Sequence, residues 1–172
     1  MKAEQRRQEV LAILEDQEEP ISASQLAKTM QVSRQVIVGD VALLRASQND
    51  IISTPKGYLM RKSLYSNAFT ARLVCQHTEA QTFEELSIIV ANGGIVSTVE
   101  VEHPIYGMLT APLNIRSQED IVDFIKKVKK SQAELLSSLT NGLHSHLISC
   151  KDQASFEKIK KDLLEAGILY QN

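Results

Sequence analysis

The 172-residue chain contains no tryptophan, and its aromatic residues make up 5% of the sequence. That scarcity argues against a base-stacking platform for single-stranded nucleic acid, which needs rings in series. There are two cysteines, Cys75 and Cys150, far apart along the chain, so a disulfide scaffold is not expected. No apolar run approaches the ~20 residues that a membrane-spanning helix needs. The opening segment, MKAEQRRQEV, lacks the hydrophobic core of a secretory signal. A cytoplasmic protein is expected. An excess of positive charge is missing too: the net charge is −2 and the pI about 6.1. Nucleic-acid-binding domains are usually strongly basic, so any such charge must be local. The apolar and charged fractions, 43% and 23%, suit a globular protein of one large domain or two small ones.

The first third reads as helices followed by a hairpin. From Lys2 to Glu15, apolar Val10, Leu11, Ile13 and Leu14 recur inside a polar frame, which predicts a helix. Glu18, Glu19 and Pro20 end it. Ser22 to Gln25 (SASQ) has the form of a capping box, in which the Ser and Gln side chains satisfy free N–H groups at a helix start. A short helix burying Leu26, Ala27 and Met30 should follow. Ser33 is a good N-cap for the next helix, which should run to about Ala46 and bury Ile37, Val41 and Leu44. Its other face offers Arg34, Gln35, Val38, Gly39, Ala42 and Arg45. Two short helices with a tight link suit a helix-turn-helix, whose second helix reaches base edges from its first turn. Arg can bond guanine, and Gln adenine, through two hydrogen bonds each. Ile51 to Met60 then reads as strand, turn, strand with Lys56 at the tip, a wing whose basic side chains would meet phosphates. A small domain for protein contacts is the alternative.

Residues 32–46 (VSRQVIVGDVALLRA) and 51–58 (IISTPKGY) resemble the winged-helix half of the niacin-responsive repressors, the NiaR type. The resemblance implies binding to double-stranded operator DNA, and the residues expected to make the contacts are Ser33, Arg34, Gln35, Val38, Arg45 and Lys56. One departure is Gly39, where that family usually has Gln. A mid-helix Gly costs about 1 kcal/mol against Ala and presents no side chain.

Arg61 to Asn67 is short and polar and is taken as the linker. The expected domains are 1–62 and 68–172. In the second, Phe69 to His77 alternates, with Phe69, Ala71, Leu73, Cys75 and His77 on one face. Thr82 to Glu85 (TFEE) has the form of a capping box opening a helix. Strands follow at 95–102, 108–115 and 143–150, with a Ser117-capped helix before the last of them and a final helix over 155–166. The predicted fold class is α+β: a winged helix-turn-helix, then a ferredoxin-like split βαβ domain with an extra C-terminal helix. In that arrangement the first two strands run parallel and the other two antiparallel to them.

This topology gathers residues remote in sequence. His77 ends the first strand of the second domain and His103 ends the second. His144 and His146, two residues apart and so on one face, open the fourth. The helix carrying Glu85 begins at the same edge. His77, Glu85, His144 and His146 form a nitrogen-and-oxygen set that suits zinc, nickel, iron or manganese. Each has a duller role available: Glu85 could complete the capping box with Thr82, and the strand histidines could be hydrogen-bonded surface residues. By strand count neither Cys75 nor Cys150 reaches the rim, and buried structural thiols are expected.

Residues 77–85 (HTEAQTFEE), 102–107 (EHPIYG) and 139–146 (LTNGLHSH) resemble the three-histidine (3H) ligand domain that follows the winged helix in the same repressors. The resemblance implies a divalent transition metal (nickel, zinc or iron) on His77, Glu85, His144 and His146. It places His103 and Tyr106 at the effector pocket. It further implies a homodimeric repressor of genes for niacin uptake and NAD synthesis, with nicotinic acid as corepressor. Two other functions remain open on the residues: a regulator that senses the metal itself, and a metal-dependent hydrolase fused to a DNA-binding head. Against the last, there is no nucleophile elbow and no HExxH helix.

Overall fold

The computed structural model describes residues 2–64 and 69–171. The chain divides into two compact units, Met1–Ser66 and Asn67–Asn172. Among the described residues no helix is long and apolar enough to cross a membrane.

The first unit is α1 (Ala3–Asp16), α2 (Ala23–Met30), α3 (Arg34–Ala46), β1 (Ile51–Thr54), β2 (Gly57–Met60) and α4 (Arg61–Leu64). Local chemistry sets the helix starts. Ser22 Oγ accepts from Gln25 N, and Gln25 Oε1 accepts in return from Ser22 N. Ser33 Oγ accepts from Val36 N and opens α3. Val10, Leu14, Leu26, Met30, Ile37 and Val41 fill the core; complete burial of such a side chain is worth roughly 1.5–3 kcal/mol. β1 and β2 pair antiparallel, and Ile21 adds a bridge to Tyr58.

One feature of this unit has no local signal in the sequence, and another departs from expectation. Asp40, in the middle of α3, is buried and held by Arg6 of α1 through two hydrogen bonds, 2.6 and 3.2 Å. The linker expected from Arg61 begins instead as α4, because Leu64 finds Ile52 and Leu59 to pack against. The expected domain end at Lys62 thus falls inside a helix, and residues 65–67 of the expected linker lie outside the described residues.

Gly39 is exposed on α3, and a Cβ there would meet nothing within 4 Å. Gly39→Ala is therefore expected to stabilise the first unit by about 1 kcal/mol through backbone entropy alone. Urea unfolding of the two proteins checks this; a loss of stability would show an unseen constraint at that position.

The second unit runs β3 (Phe69–Gln76), α5 (Thr82–Ala91), β4 (Ile95–His103), β5 (Gly107–Ile115), α6 (Gln118–Ser131), β6 (Leu143–Cys150) and α7 (Gln153–Glu165), with 3-10 turns at Glu79–Gln81 and Leu136–Thr140. The order of elements and the strand directions are those expected. The lateral order differs from a ferredoxin-like sheet, which centres its first and third strands. Here the sheet runs β3-β6-β4-β5, with the second and fourth strands of the domain at its centre. All neighbours are antiparallel. The outer edge of β3 is not left open: Gln76 N bonds Ile168 O, and Tyr170 N bonds Val74 O. Such cover guards an edge against pairing with another chain. Ile89, Val96, Ile115, Ile121, Ile148 and Leu163 lie in the core between the sheet and its helices.

Candidate functional site

His77 follows the last residue of β3, and β6 runs antiparallel beside that strand. His144 and His146 project from one face of β6, with His144 opposite Cys75 and His146 opposite Leu73. Glu85 lies one turn into α5. All four side chains are buried.

Their polar atoms converge. The Glu85 carboxylate lies 2.7 Å from His77 Nε2, 2.9 Å from His144 Nε2 and 3.2 Å from His146 Nε2. The ring centroids of His77 and His144 are 4.9 Å apart, and those of His144 and His146 4.8 Å, both edge-on. The opposite nitrogen of each ring is tied to a backbone carbonyl: His77 Nδ1 to Thr78 O at 2.7 Å, His144 Nδ1 to Gly142 O at 2.8 Å and His146 Nδ1 to Thr98 O at 2.8 Å. A carbonyl oxygen only accepts, so each Nδ1 carries the proton. In the neutral rings, three Nε2 lone pairs then face a carboxylate. Nothing in that arrangement attracts until a proton or a cation stands among them.

Protonation is one answer. Burial disfavours the imidazolium of His77 and of His146, yet Glu85 outweighs it and both are pushed above the ordinary histidine range. Burial likewise opposes the Glu85 charge, but the charge of His146 and hydrogen bonds from His144 and His77 hold this carboxyl well below its usual range. Even so, His146 Nε2 is buried without a hydrogen-bond partner. A divalent cation is the other answer, and the donor set fits one: three imidazole nitrogens and a carboxylate, each ring oriented from behind by a carbonyl.

Several expectations change here. The Thr82–Glu85 capping box is not made. Gln81 precedes the helix without a side-chain cap, the buried Thr82 hydroxyl has no hydrogen-bond partner, and Glu85 turns inward to the rings. Cys75, expected to be remote, is part of the site: its Sγ, a Glu85 oxygen and a His144 nitrogen lie within 4.8 Å of one another. His103 and Tyr106 are elsewhere. The pairing of β4 with β6 ends at Glu100, and the β4–β5 hairpin runs on past it. At its tip His103 Nδ1 accepts from Ile105 N and Tyr106 N, both at 3.2 Å, and the Tyr106 ring is 74% exposed. Neither lines the cavity at the histidines.

That cavity is small, about 40 Å³. Besides the four donors its walls include Leu86, Val99, Leu113, Phe124 and Leu136. A wider hollow of about 390 Å³ lies beside it, with His77, Leu135 and Ser137 common to both.

In the first unit, Arg34 and Gln35 are exposed in the first turn of α3, Ser33 caps it, and Lys56 is exposed at the hairpin turn. Val38 is half-buried against the core. Arg45 has work inside the unit: its Nε donates to Ile51 O at 2.7 Å and its Nη2 to Ser53 Oγ at 2.8 Å, with the guanidinium over the Tyr58 ring. It braces the hairpin against α3. Position in the last turn of α3, beside the start of β1, explains that use.

Comparison with known proteins agrees with both units. Residues 70–172 match the family of the 3H domain, and residues 6–59 match a family of HTH domains. The chain is 38% identical over 169 residues to the transcription repressor NadR of Bacillus subtilis (strain 168), covering 97% of this chain and 94% of that one. It is 36% identical, again over 169 residues, to the probable transcription repressor NiaR of Thermotoga maritima, covering 98% and 95%. Both relatives are named as repressors, which overturns the hydrolase alternative. The chain belongs to the family of the NadR and NiaR transcription repressors, and is a DNA-binding regulator, not an enzyme.

Proposed function

We propose that the protein is a ligand-gated repressor of genes for niacin uptake and NAD synthesis, working on operator DNA as a homodimer with nicotinic acid as corepressor. In this reading His77, Glu85, His144 and His146 hold a divalent transition metal, with nickel, zinc and iron the candidates. The observation that carries it is the convergence of three Nε2 atoms on one carboxylate while every Nδ1 is committed to a carbonyl. When bound, the ion supplies a positive centre able to accept a pyridine nitrogen or a carboxylate. The leucines and Phe124 offer an apolar wall for a ring. Since ~40 Å³ holds an ion and little more, a ring needs the walls to give, and Leu135 and Ser137, which line both this cavity and the wider hollow, are the side chains to move. Arg34, Gln35 and Lys56 meet the DNA, and a dimer must hold its two recognition helices about 34 Å apart. The effector acts by its different affinity for the competent and incompetent arrangements.

A second reading, that the metal alone is the signal, is favoured by the small cavity. One experiment separates them: gel shifts on promoter fragments of niacin-uptake genes, with metal titrated at fixed nicotinic acid and nicotinic acid at fixed metal. The proposal expects nicotinic acid to strengthen binding only with metal present. Operator affinity that ignores nicotinic acid at every metal concentration contradicts it.

Gly142 supplies a further check. It has φ +83°, and a Cβ there would come 2.1 Å from His77 O. Its own carbonyl accepts from His144 Nδ1 and His77 N. Gly142→Ala should disturb both rings and weaken metal binding by roughly 10–100-fold, the usual cost of losing an orienting group. Competition with a chromophoric chelator measures this; unchanged affinity would remove Gly142 from the site's support.

A further inference from the structure

The site contains a thiol that the set of three imidazoles and one carboxylate leaves unused. Cys75 is fully buried, two residues before His77 and directly opposite His144 in the β3–β6 pairing. Its Sγ, a Glu85 oxygen and a His144 nitrogen are mutually within 4.8 Å. An independent feature points at the same spot. His146 is 3% exposed, and its Nε2 lies 3.2 Å from Glu85 Oε1 yet makes no hydrogen bond. A buried lone pair left without a partner is costly, and here it is directed at the carboxylate beside Cys75.

We propose that Cys75 is a further ligand of the divalent ion assigned above to His77, Glu85, His144 and His146; the inference rests on that assignment. Charge supports it. Glu85 is the one carboxylate lining this cavity among the described residues. A divalent ion facing one carboxylate and three neutral rings keeps net positive charge in a buried place, which is expensive. A Cys75 thiolate brings the group to neutrality. In the ligation step the S–H bond breaks, an S–metal bond forms, and the proton leaves to solvent. A thiolate among the donors also shifts preference towards zinc and away from manganese. Cys150, the other cysteine, is turned to the backbone of its own loop, its Sγ donating to Asp152 O at 3.3 Å.

Cobalt(II) reports the ligand directly. The full chain, Cys75→Ser and Cys150→Ser are each titrated with cobalt(II) and followed by absorption. Visible ligand-field bands are expected in all three, since the imidazoles and Glu85 remain. A near-ultraviolet thiolate-to-cobalt charge-transfer band is expected in the wild type and in Cys150→Ser, and not in Cys75→Ser. Visible bands without that near-ultraviolet band in the wild type would overturn the thiolate ligand and leave the metal site standing. Failure of cobalt to give bands in any of the three would overturn the metal site and the thiolate together. Should Cys75→Ser not fold, zinc-edge X-ray absorption of the wild type decides: a sulfur neighbour at about 2.3 Å is expected, and nitrogen and oxygen neighbours alone would overturn the proposal.

Discussion

Replacing His144 and His146 together by alanine is expected to abolish metal binding: one ion per chain in the wild type, none in the variant, with affinity down by well over the roughly 100-fold that follows loss of a mere orienting group. Both side chains come from one strand face and contribute two of the three Nε2 atoms at Glu85. Their loss leaves a buried carboxylate with His77 as its remaining ring partner. The variant should also lose the thermal stabilisation that metal confers, which is about 4 kcal/mol when free metal exceeds Kd by 1,000-fold. His103→Ala is the contrast. That ring sits at the hairpin tip and closes a turn, so this variant should keep its ion. Elemental analysis after dialysis reads both proteins. Retention of a full equivalent by the double variant would place the metal elsewhere.

The second large effect is a reversal in the sign of pH dependence. Without metal, His77 and His146 have folded-state pKa values raised by Glu85 against the cost of burial. A raised pKa contributes stability that is complete below the unfolded value, about 6.5, and is lost as pH climbs through the folded value. Glu85 is depressed by the charge of His146 and by hydrogen bonds from His144 and His77, against the opposing cost of burial. Its contribution is present above about 4.3 and lost as pH falls through its folded value. The metal-free second unit should therefore be most favoured between about pH 4.3 and 6.5 by this cluster, and should weaken on the alkaline side. With metal the trend inverts, because protons and the ion compete for the same Nε2 atoms and binding strengthens as protons leave. Melting temperatures from about pH 6 to 8, taken with chelator and with excess zinc, should slope in opposite directions. Parallel slopes would mean that the rings do not exchange protons for metal.

Local signals in the sequence were the easiest to read. The Ser22–Gln25 box and the Ser33 cap depend on groups within a few residues, and both form as the pattern predicts. Thr82 to Glu85 carries the same kind of pattern and does something else. There the competing partners for Glu85 are three buried rings, two of them about 60 positions away, and once protonated these bind a carboxylate more strongly than an exposed N–H does. The lateral order of the sheet was beyond pattern reading for a related reason. Placing either the third or the fourth strand between the first two splits the βαβ unit and keeps both crossovers of one hand, so the order of elements cannot choose. The choice matters: either order sets β6 beside β3 and His144 against Cys75, but only the observed one also sets β6 beside β4, where Thr98 O orients the His146 ring. Level strand ends would bring His103 to the rim, but the β4–β5 hairpin overhangs β6 and carries it beyond. Arg45 and the Arg6–Asp40 pair were invisible for want of any local signature.

A three-histidine cluster could have been a structural knot of hydrogen bonds. The orientation of the rings argues otherwise, since every Nδ1 donates its proton to the backbone and the Nε2 lone pair of each ring is left facing inward. Crystals grown with zinc and measured by anomalous diffraction at the zinc edge test this most directly. The account predicts a single strong peak per chain, about 2.0–2.2 Å from Nε2 of His77, His144 and His146 and from a Glu85 oxygen. No peak at that place under saturating zinc, with the rings still closed on Glu85, would contradict it.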